Sequence, residues 1–271
     1  MKNFKKIRQK TGMNCRIGTT SYIIPADILP NLDFLKEIVE DVELVLFESD
    51  AFSNLPTASD VREMGRIADD AGLTFTVHLP LDAYPGAENE NERNQSAAKW
   101  LRVMDRMAPL CPFGWVVHLN DPPNDPPGEN REDPPSWDHW LAQCGKTIDA
   151  LSAQTDPGLL CVETLSYDFG RVLPLVMEKN CSICIDIGHL ILAGRDIPAI
   201  LEEWLPHTRI IHLHGVNGAG RDHVDIGHLD PGLLDGIIAA LKADRSVPRV
   251  LTLEIFSRED LERSLSTLMH L

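Results

Sequence analysis

The sequence predicts an α/β protein folded as a closed (β/α)8 TIM barrel. Eight short apolar runs alternate with eight runs whose apolar residues recur at helical spacing, which is typical of a parallel sheet covered on both faces. The length of 271 residues is close to that of one such barrel. Histidine or an acidic residue recurs at the C-terminal ends of the predicted strands. That recurrence favours a closed barrel over the alternative, a doubly wound open sheet.

The strands are predicted from short runs rich in β-branched residues, such as LTFTVH and RIIHLH. With 43% apolar residues the chain can bury a large core. In chain order, the predicted strands lie at residues 15–19, 43–48, 73–79, 114–119, 159–165, 182–187, 209–214 and 249–256.

A helix is predicted after each strand from amphipathic spacing. The second of these helices has Thr57 or Ser59 as a candidate N-cap and Gly72 as a stop signal. In chain order, the predicted helices lie at residues 26–39, 57–72, 94–108, 136–153, 168–179, 196–205, 230–243 and 258–270. We expect one barrel domain over residues 1–271, in which residues 1–14 form a basic N-terminal tail.

Residues 121–137, DPPNDPPGENREDPPSW, depart from the alternation of strands and helices. Their three Pro-Pro pairs exclude a helix interior or a central strand. The segment follows the fourth predicted strand, so it is expected on the C-terminal face, where barrels keep their active sites. It is either a loop that covers the substrate or a stiff surface insertion.

The charge balance argues against nucleic acid as a partner. There are 41 acidic and 25 basic side chains, a net charge of −16, and such a surface repels phosphates. The one basic cluster, MKNFKKIRQK, is followed by TGMNC rather than by an apolar segment. No apolar run is long enough to span a bilayer. We therefore expect a cytoplasmic protein that acts on a small molecule, with no nucleic acid and no membrane partner.

Most of the six cysteines are expected to be small core residues. Most lie in apolar segments, where a free cysteine behaves as a small core residue. Cys181 and Cys184 have C-x-x-C spacing, but they run into a predicted strand, where their thiols would point to opposite faces. This arrangement favours core packing over a redox or zinc role.

Residues that bind metals lie at the ends of at least six successive predicted strands. One such histidine would usually be a hydrogen-bonded core residue, but strand ends meet at one edge of a barrel, so the set would surround one point. The mixture of imidazole and carboxylate suits Zn, Mn, Fe or Co better than Ca. The strand-end residues are Glu48, His78, His118, Glu163, Asp186, His212, His214 and Glu254.

Local spacing adds candidates to this set. His189 follows Asp186 by one helical turn, and the loop after the seventh strand carries Asp222 and His223. His212 and His214 are two apart, so both face the barrel interior. Supporting or structural roles, rather than direct metal binding, are expected for Glu48, His214, Asp225 and His228. The sequence contains no G-x-S-x-G, Walker A or post-strand G-x-G-x-x-G motif.

The order of these residues resembles the xylose-isomerase-like, endonuclease IV-like TIM barrels, over essentially the whole chain. The superfamily includes AP endonucleases, sugar isomerases and sugar epimerases, and the resemblance implies a site for one to three divalent metal ions. The residues that match its metal ligands are His78, His118, Glu163, Asp186, His189, His212, His223 and Glu254.

Two features depart from the endonuclease pattern. The endonucleases carry Asp-x-His after the seventh strand, whereas here Arg221 lies two residues before His223 and the carboxylate of Asp222 is adjacent to it. A complete three-metal site is therefore not implied. The net charge of −16 is also a poor match to an enzyme that grips DNA.

The N-terminal stretch GTTSYIIPADILPN, residues 18–31, and the following VELVLFES resemble the cobamide-remodelling phosphodiesterases (CbiR), a branch of this superfamily. This resemblance implies hydrolysis of the nucleotide-loop phosphodiester of a cobamide such as adenosylcobalamin. The implied products are adenosylcobinamide phosphate and the lower-ligand riboside. In such a reaction Glu163 and Glu254 would be catalytic, holding metal and orienting water, and Ser21, Tyr22 and Arg221 would contact substrate.

Besides an AP-endonuclease-like nuclease, which the net charge disfavours, two alternatives from other classes stay open. In a sugar isomerase or epimerase, Glu163 and Glu254 would shuttle protons, and the ligands Glu163, Asp186, His212 and Glu254 alone would suffice. A non-catalytic metabolite binder would keep the fold without turnover. The further histidines favour more than one metal and hence phosphate chemistry; they are His78, His118, His189 and His223.

Overall fold

The fold is a closed barrel of eight parallel strands in chain order, with β8 paired to β1. The computed structural model describes residues 12–49, 52–120 and 137–271. The closed TIM barrel predicted from the sequence is confirmed, and the open sheet is excluded. The strands are β1 (Cys15–Thr20), β2 (Asp41–Val45), β3 (Thr74–His78), β4 (Gly114–Val117), β5 (Leu160–Glu163), β6 (Ser182–Asp186), β7 (Thr208–Leu213) and β8 (Arg249–Leu253).

Nine α-helices lie within the described ranges, one more than predicted. The additional helix, α6, follows β6 without a loop, because the side chain of Asp186 caps it by accepting a hydrogen bond from the His189 amide at 2.7 Å. The helices are α1 (Ile28–Leu35), α2 (Ala58–Ala71), α3 (Glu90–Met107), α4 (Trp137–Ser152), α5 (Leu173–Glu178), α6 (Ile187–Leu192), α7 (Ile197–Trp204), α8 (Pro231–Ala243) and α9 (Arg258–Leu268).

The predicted helix boundaries hold best where the capping residues are strong. Helix α2 begins after Thr57, which forms a capping box with Asp60, and it ends at Gly72, whose φ of 70° suits glycine. Helix α3 begins at Glu90, earlier than predicted, because Asn89 caps it.

The second strand differs from its prediction. β2 begins at Asp41 and ends at Val45, so Glu48 lies beyond the barrel rather than at a strand end. The Glu48 carboxylate instead accepts hydrogen bonds from Arg102, at 2.7 Å, and from Ser53. Its expected supporting role is therefore to tie the loop after β2 to helix α3, outside the metal centre.

The barrel interior has an apolar layer beneath the mouth. Val116, Cys161, Cys184 and Ile210 come from four successive strands and form a cluster separate from the main core between strands and helices. Cys181 is also a buried free thiol, as is Cys184, whose Sγ lies within 4.8 Å of ligand atoms of Glu163 and His212; the structural role of the cysteines stays a prediction. This layer is the floor on which the mouth residues lie.

Two predicted segments fall on residues that the structure does not describe. The basic tail lies mostly within residues 1–11, and the Pro-rich segment lies almost wholly within residues 121–136. Their predicted roles stay predictions. Across the described ranges, no helix combines the length and apolar character that crossing a membrane requires.

Asp41, a fully buried carboxyl inside the barrel, should make stability depend on pH. It accepts hydrogen bonds from Thr74, at 2.6 Å, and Thr76, at 2.8 Å, yet burial raises its pKa from 3.8 to about 6. When a carboxyl has a higher pKa in the folded chain than in the unfolded chain, the free energy of unfolding falls as pH rises from the unfolded pKa to the folded pKa. The shift corresponds to about 3 kcal/mol.

We therefore expect Asp41→Asn to gain stability relative to wild type as pH rises from about 4 to about 6.5. Urea unfolding at a series of pH values measures the difference in unfolding free energy, which should grow by up to about 3 kcal/mol. A difference that does not change with pH would contradict the assigned pKa.

Candidate metal centre

The ends of six successive strands bring the predicted ligands together at the barrel mouth. Because strand residues alternate in direction, each of these positions faces inward. All eight residues predicted as ligands lie in this region, and the side chains of five of them are buried. Those five are His78, Glu163, Asp186, His212 and Glu254.

One group of possible ligands lies at the ends of β3, β4 and β5. Oε2 of Glu163 is 2.8 Å from Nε2 of His118 and 3.4 Å from Nε2 of His78. The ligand atoms of the three residues lie within 4.8 Å of one another. Two imidazoles and one carboxylate can therefore hold one divalent ion, with the His118 side open to solvent.

A second group lies beside the first and shares Glu163 with it. Nδ1 of His212 is 3.2 Å from Oε2 of Glu254, 3.6 Å from Oε1 of Glu163 and 3.7 Å from Oδ2 of Asp186. The ligand atoms of these four residues also lie within 4.8 Å of one another. Glu163 presents Oε2 to the first group and Oε1 to the second, so it is placed to bridge two ions.

The residues of the second group fit a divalent metal ion. Nδ1 of His212 and Oε2 of Glu254 are buried and have no hydrogen-bond partner, whereas most buried polar atoms in proteins have one. A cation coordinated by both atoms would satisfy them. The mixed nitrogen and oxygen donors suit Zn, Mn, Fe or Co.

His189 and His223 lie at the solvent side of the second group. Nδ1 of His189 is 3.5 Å from Glu163 and 3.6 Å from Asp186. Nε2 of His223 is 3.5 Å from Glu254, while Nδ1 is 3.0 Å from Asp222. Asp222 therefore contacts the nitrogen of the His223 ring that points away from Glu254. In the Asp-x-His pattern, which this sequence lacks, the carboxylate lies two residues before the histidine.

His214 belongs to a third possible group, with His223 and Glu254, but both of its nitrogens have protein partners. Nδ1 accepts a hydrogen bond from the His223 amide at 3.0 Å, and Nε2 is 3.2 Å from Asp186. Nδ1 also lies 3.3 Å from the carbonyl oxygen of Gly215. His214 thus contacts Asp186, and the supporting role expected from the sequence stays a prediction.

The carboxylates and imidazoles of the centre hold one another in their charged forms. Burial alone would raise the pKa of Glu163, but His118 and His212 outweigh it and hold that pKa well below its usual range. Burial opposes protonation of His78, but Glu163 outweighs it and raises the His78 pKa to about 9. The carboxylates are therefore in the form that binds metal, and metal binding must displace imidazole protons.

The residues predicted to contact substrate have different surroundings. Ser21 is fully buried, and its hydroxyl accepts a hydrogen bond from the Val45 amide at 3.2 Å, which ties β1 to β2. Tyr22 is half-buried at the rim, where its hydroxyl pairs with Asn54. Arg221 is exposed in a turn closed by hydrogen bonds with Asn217. Substrate contact by Ser21, Tyr22 and Arg221 stays a prediction.

Asp225 and His228, for which supporting or structural roles are expected, lie beside helix α9. Asp225 is buried, 3.6 Å from His228 and 3.7 Å from Arg263. Its Oδ1 also accepts a hydrogen bond from the Gly227 amide. These contacts stabilise the loop after β7, and the structural role expected for both residues stays a prediction.

Sequence reasoning missed Glu43. This fully buried residue of β2 accepts a hydrogen bond from Nε2 of His212 at 3.0 Å. A signal was present: Asp41 and Glu43 alternate with apolar residues in DVELV, and alternation in a strand places both carboxylates on one face. The strand-end pattern instead predicted Glu48 as the acidic residue of this strand near the centre.

Gly188 makes room for the His214 ring. A Cβ at this position would lie 1.9 Å from Cε1 of His214, far inside contact distance. We expect Gly188→Ala to displace the ring, to lower the unfolding free energy by about 1–3 kcal/mol and to weaken metal binding through Asp186. Urea unfolding and metal titration measure the two effects.

The matched control is Gly236→Ala, in the exposed face of helix α8. Nothing lies within 4 Å of its added Cβ, and alanine favours helix by up to about 1 kcal/mol. That control should be neutral or stabilising. Equal effects of the two substitutions would show that the contact between Gly188 and His214 does not matter.

One known protein family matches most of the chain. A family model described as "Xylose isomerase-like TIM barrel" matches residues 32–270. No curated protein sequence matches significantly. Among solved structures, 3-keto-D-glucoside 4-epimerase from E. coli superposes with a TM-score of 0.72 at 17% identity, covering 95% of this chain and 100% of the other.

Two further structures have the same fold. Endonuclease IV from Thermus thermophilus gives a TM-score of 0.68 at 16% identity, with 94% of this chain and 98% of the other covered. The IOLI protein "with a binding zinc atom" gives 0.64 at 13% identity, with 94% of each chain covered. At these identities the similarity shows the fold alone.

Proposed function

The chain belongs to the xylose isomerase-like TIM barrel family, and we propose that it is a metal-dependent phosphodiesterase that hydrolyses the nucleotide-loop phosphodiester of a cobamide. The observation that carries the proposal is the sharing of Glu163 between two adjacent ligand groups. Two neighbouring divalent ions are the arrangement that clamps the attacking and leaving oxygens of a phosphodiester. A sugar isomerase of this fold would need only the second group.

The residues present would hold Zn, Mn, Fe or Co. His78 and His118 would hold one ion, Asp186, His212 and Glu254 a second, and Glu163 both. When bound, such ions stabilise the charge on the phosphate and supply an activated water nucleophile. His189 and His223 lie beside the second group and would complete its coordination or contact the phosphate.

In the proposed reaction, water adds to phosphorus and the bond from phosphorus to the ribose oxygen breaks. One proton of the water ends on the ribose oxygen, so the products are adenosylcobinamide phosphate and the lower-ligand riboside. Glu163 and Glu254 are placed to orient the water, because both are buried and ionised beside the same imidazole, that of His212.

Exposed aromatic side chains on the side of the barrel mouth formed by β8, β1 and β2 favour a substrate with a large apolar part. The ring of Phe256 packs on that of His223, with 5.5 Å between centroids, and the ring of Phe47 lies 6.3 Å from that of Tyr22. Phe256 and Phe47 are 45% and 39% exposed, and Phe52, packed on Phe47 at 6.1 Å, is 59% exposed. Exposed aromatic side chains beside a metal centre suit a macrocycle or an aromatic base better than a small sugar.

The second candidate function is a sugar isomerase or epimerase. One observation favours it: Glu163, Asp186, His212 and Glu254 form a complete four-ligand group without help from the first. In that reaction one ion would bind two substrate oxygens, and Glu163 and Glu254 would transfer protons. The fold shared with an epimerase is consistent with this candidate and with the first.

A paired assay tests the proposal against this candidate. The protein, loaded in turn with Mn, Fe, Co and Zn, is given bis(p-nitrophenyl) phosphate in one series and a panel of ketoses in another. Release of p-nitrophenol without ketose turnover supports the phosphodiesterase. Ketose turnover without phosphodiester cleavage overturns it in favour of the epimerase.

A further inference from the structure

We propose that Glu43 is a positioning residue, which fixes the tautomer and orientation of His212 so that Nδ1 faces the metal centre. The inference rests on the metal centre of the proposed function, but not on the substrate. It assigns a purpose to a buried carboxylate that contributes no ligand atom to any of the ligand groups.

The contact between the two residues crosses the barrel interior. Glu43 is on β2 and His212 on β7, and both side chains have no solvent exposure. Oε2 of Glu43 lies 3.0 Å from Nε2 of His212. The opposite nitrogen, Nδ1, is the one that lies 3.2–3.7 Å from three carboxylates of the second ligand group.

The direction of this hydrogen bond fixes the proton. An ionised carboxylate only accepts, so Nε2 must donate and must carry the ring proton. In the neutral ring, Nδ1 then has a free lone pair, which is the form that coordinates a cation. A carboxylate on the far nitrogen also makes the imidazole a stronger ligand, as in the carboxylate–histidine–zinc arrangement of other metal sites.

Packing alone does not explain this carboxylate. Oε1 of Glu43 is buried and has no hydrogen-bond partner, and burying a carboxylate with half of its acceptors unused is unfavourable. Leucine would fill a similar volume at no such cost. The contact with His212 is the interaction in the described structure that gives the carboxylate a use.

The test is metal affinity, measured without any substrate. Co2+ titration of wild type, Glu43→Gln and Glu43→Leu gives dissociation constants and visible absorption spectra. We expect about tenfold weaker binding for Glu43→Gln, which keeps an acceptor but not the charge, and about a hundredfold for Glu43→Leu, which has neither. The Co2+ spectrum should change with the loss of the fixed ring.

Asp41→Asn is the matched control. Asp41 is on the same strand, equally buried, and undergoes the same change of carboxylate to amide, but its partners are Thr74 and Thr76. It should bind Co2+ as wild type does. A loss of affinity equal to that of Glu43→Gln would show a general effect of disturbing β2 and would overturn the proposal.

A double-mutant cycle tests whether Glu43 acts through His212. In a His212→Asn background, Glu43→Gln should cause no further loss of Co2+ affinity. Additive losses would overturn the proposal. So would wild-type affinity and spectrum in a folded Glu43→Gln protein.

Nitrogen-15 NMR of histidine-labelled wild-type protein needs no variant, so it decides the question even where a substitution prevents folding. In the Zn2+-loaded protein, a proton on Nε2 of His212 and none on Nδ1 is expected, and a proton on Nδ1 would contradict the proposal. Neither measurement depends on turnover: absence of phosphodiesterase activity would remove the proposed function and leave the role of Glu43 standing.

Discussion

Glu163→Gln is expected to lower kcat/KM for phosphodiester hydrolysis by about a thousandfold or more. Glu163 is placed to serve both ligand groups, since one oxygen lies 2.8 Å from His118 and the other 3.6 Å from His212. Glutamine can offer only one oxygen, so one group loses its carboxylate. The neutral amide also removes the charge that compensates the neighbouring imidazoles.

Steady-state kinetics with metal content measured on the same samples checks this expectation. Glu178→Gln, on the exposed end of helix α5, is the control for a loss of one glutamate charge and should leave kinetics unchanged. A folded Glu163→Gln protein that keeps more than a tenth of wild-type kcat/KM would show that the bridging carboxylate is not needed.

His118→Ala should remove one metal ion and with it most of the hydrolytic activity. His118 contributes to the first ligand group and lies outside the second. It is also partly exposed, so its loss should disturb folding less than loss of a buried ligand. We expect metal content to fall from two ions to one per chain and kcat/KM for a phosphodiester to fall about a hundredfold or more.

Elemental analysis after removal of loosely bound metal gives the count. His228→Ala is the control for loss of a histidine, because His228 is 47% exposed and lies beside Asp225. An epimerase that uses the second group alone would keep its single ion and its sugar turnover in His118→Ala. One ion per chain in both wild type and variant would contradict the two-ion site.

Much of the centre could be predicted because a parallel barrel gathers its strand ends. Once β3 to β8 were placed, alternation along each strand put His78, Glu163, Asp186 and His212 on the inward face. The order of these residues along the chain was then sufficient to predict that they meet. Their grouping into two sets that share Glu163 depends on side-chain directions, which the sequence does not specify.

The second strand shows where sequence reasoning fails. VELVLFE reads as one apolar run ending at Glu48, but the ladder ends near Leu46, whose amide bonds the His78 carbonyl at 3.4 Å. Beyond it, Asn54 bonds the Phe47 amide and the Val45 carbonyl and draws the chain out of the barrel. These contacts of Asn54 place Glu48 outside the barrel, whereas Glu43, two residues after Asp41 within the strand, faces the interior.

The contacts of His214 also could not be predicted from the sequence pattern. Its spacing from His212 predicted that both rings face inward, as they do, but spacing cannot tell which nitrogen has a partner. In the fold, the His223 amide and the Gly215 carbonyl contact Nδ1, and Asp186 contacts Nε2. His223 itself has a φ of 53°, in the left-handed region. No sequence signal predicts this conformation at His223.

Product analysis after incubation with adenosylcobalamin tests the central claim most directly. Protein loaded in turn with Mn, Fe, Co and Zn is incubated with the cobamide, and products are identified by mass spectrometry, with Glu163→Gln in parallel. We predict adenosylcobinamide phosphate and the lower-ligand riboside in equal amounts, both lost in the variant. Unchanged adenosylcobalamin with every metal, from protein shown to contain two ions per chain, would contradict cobamide hydrolysis.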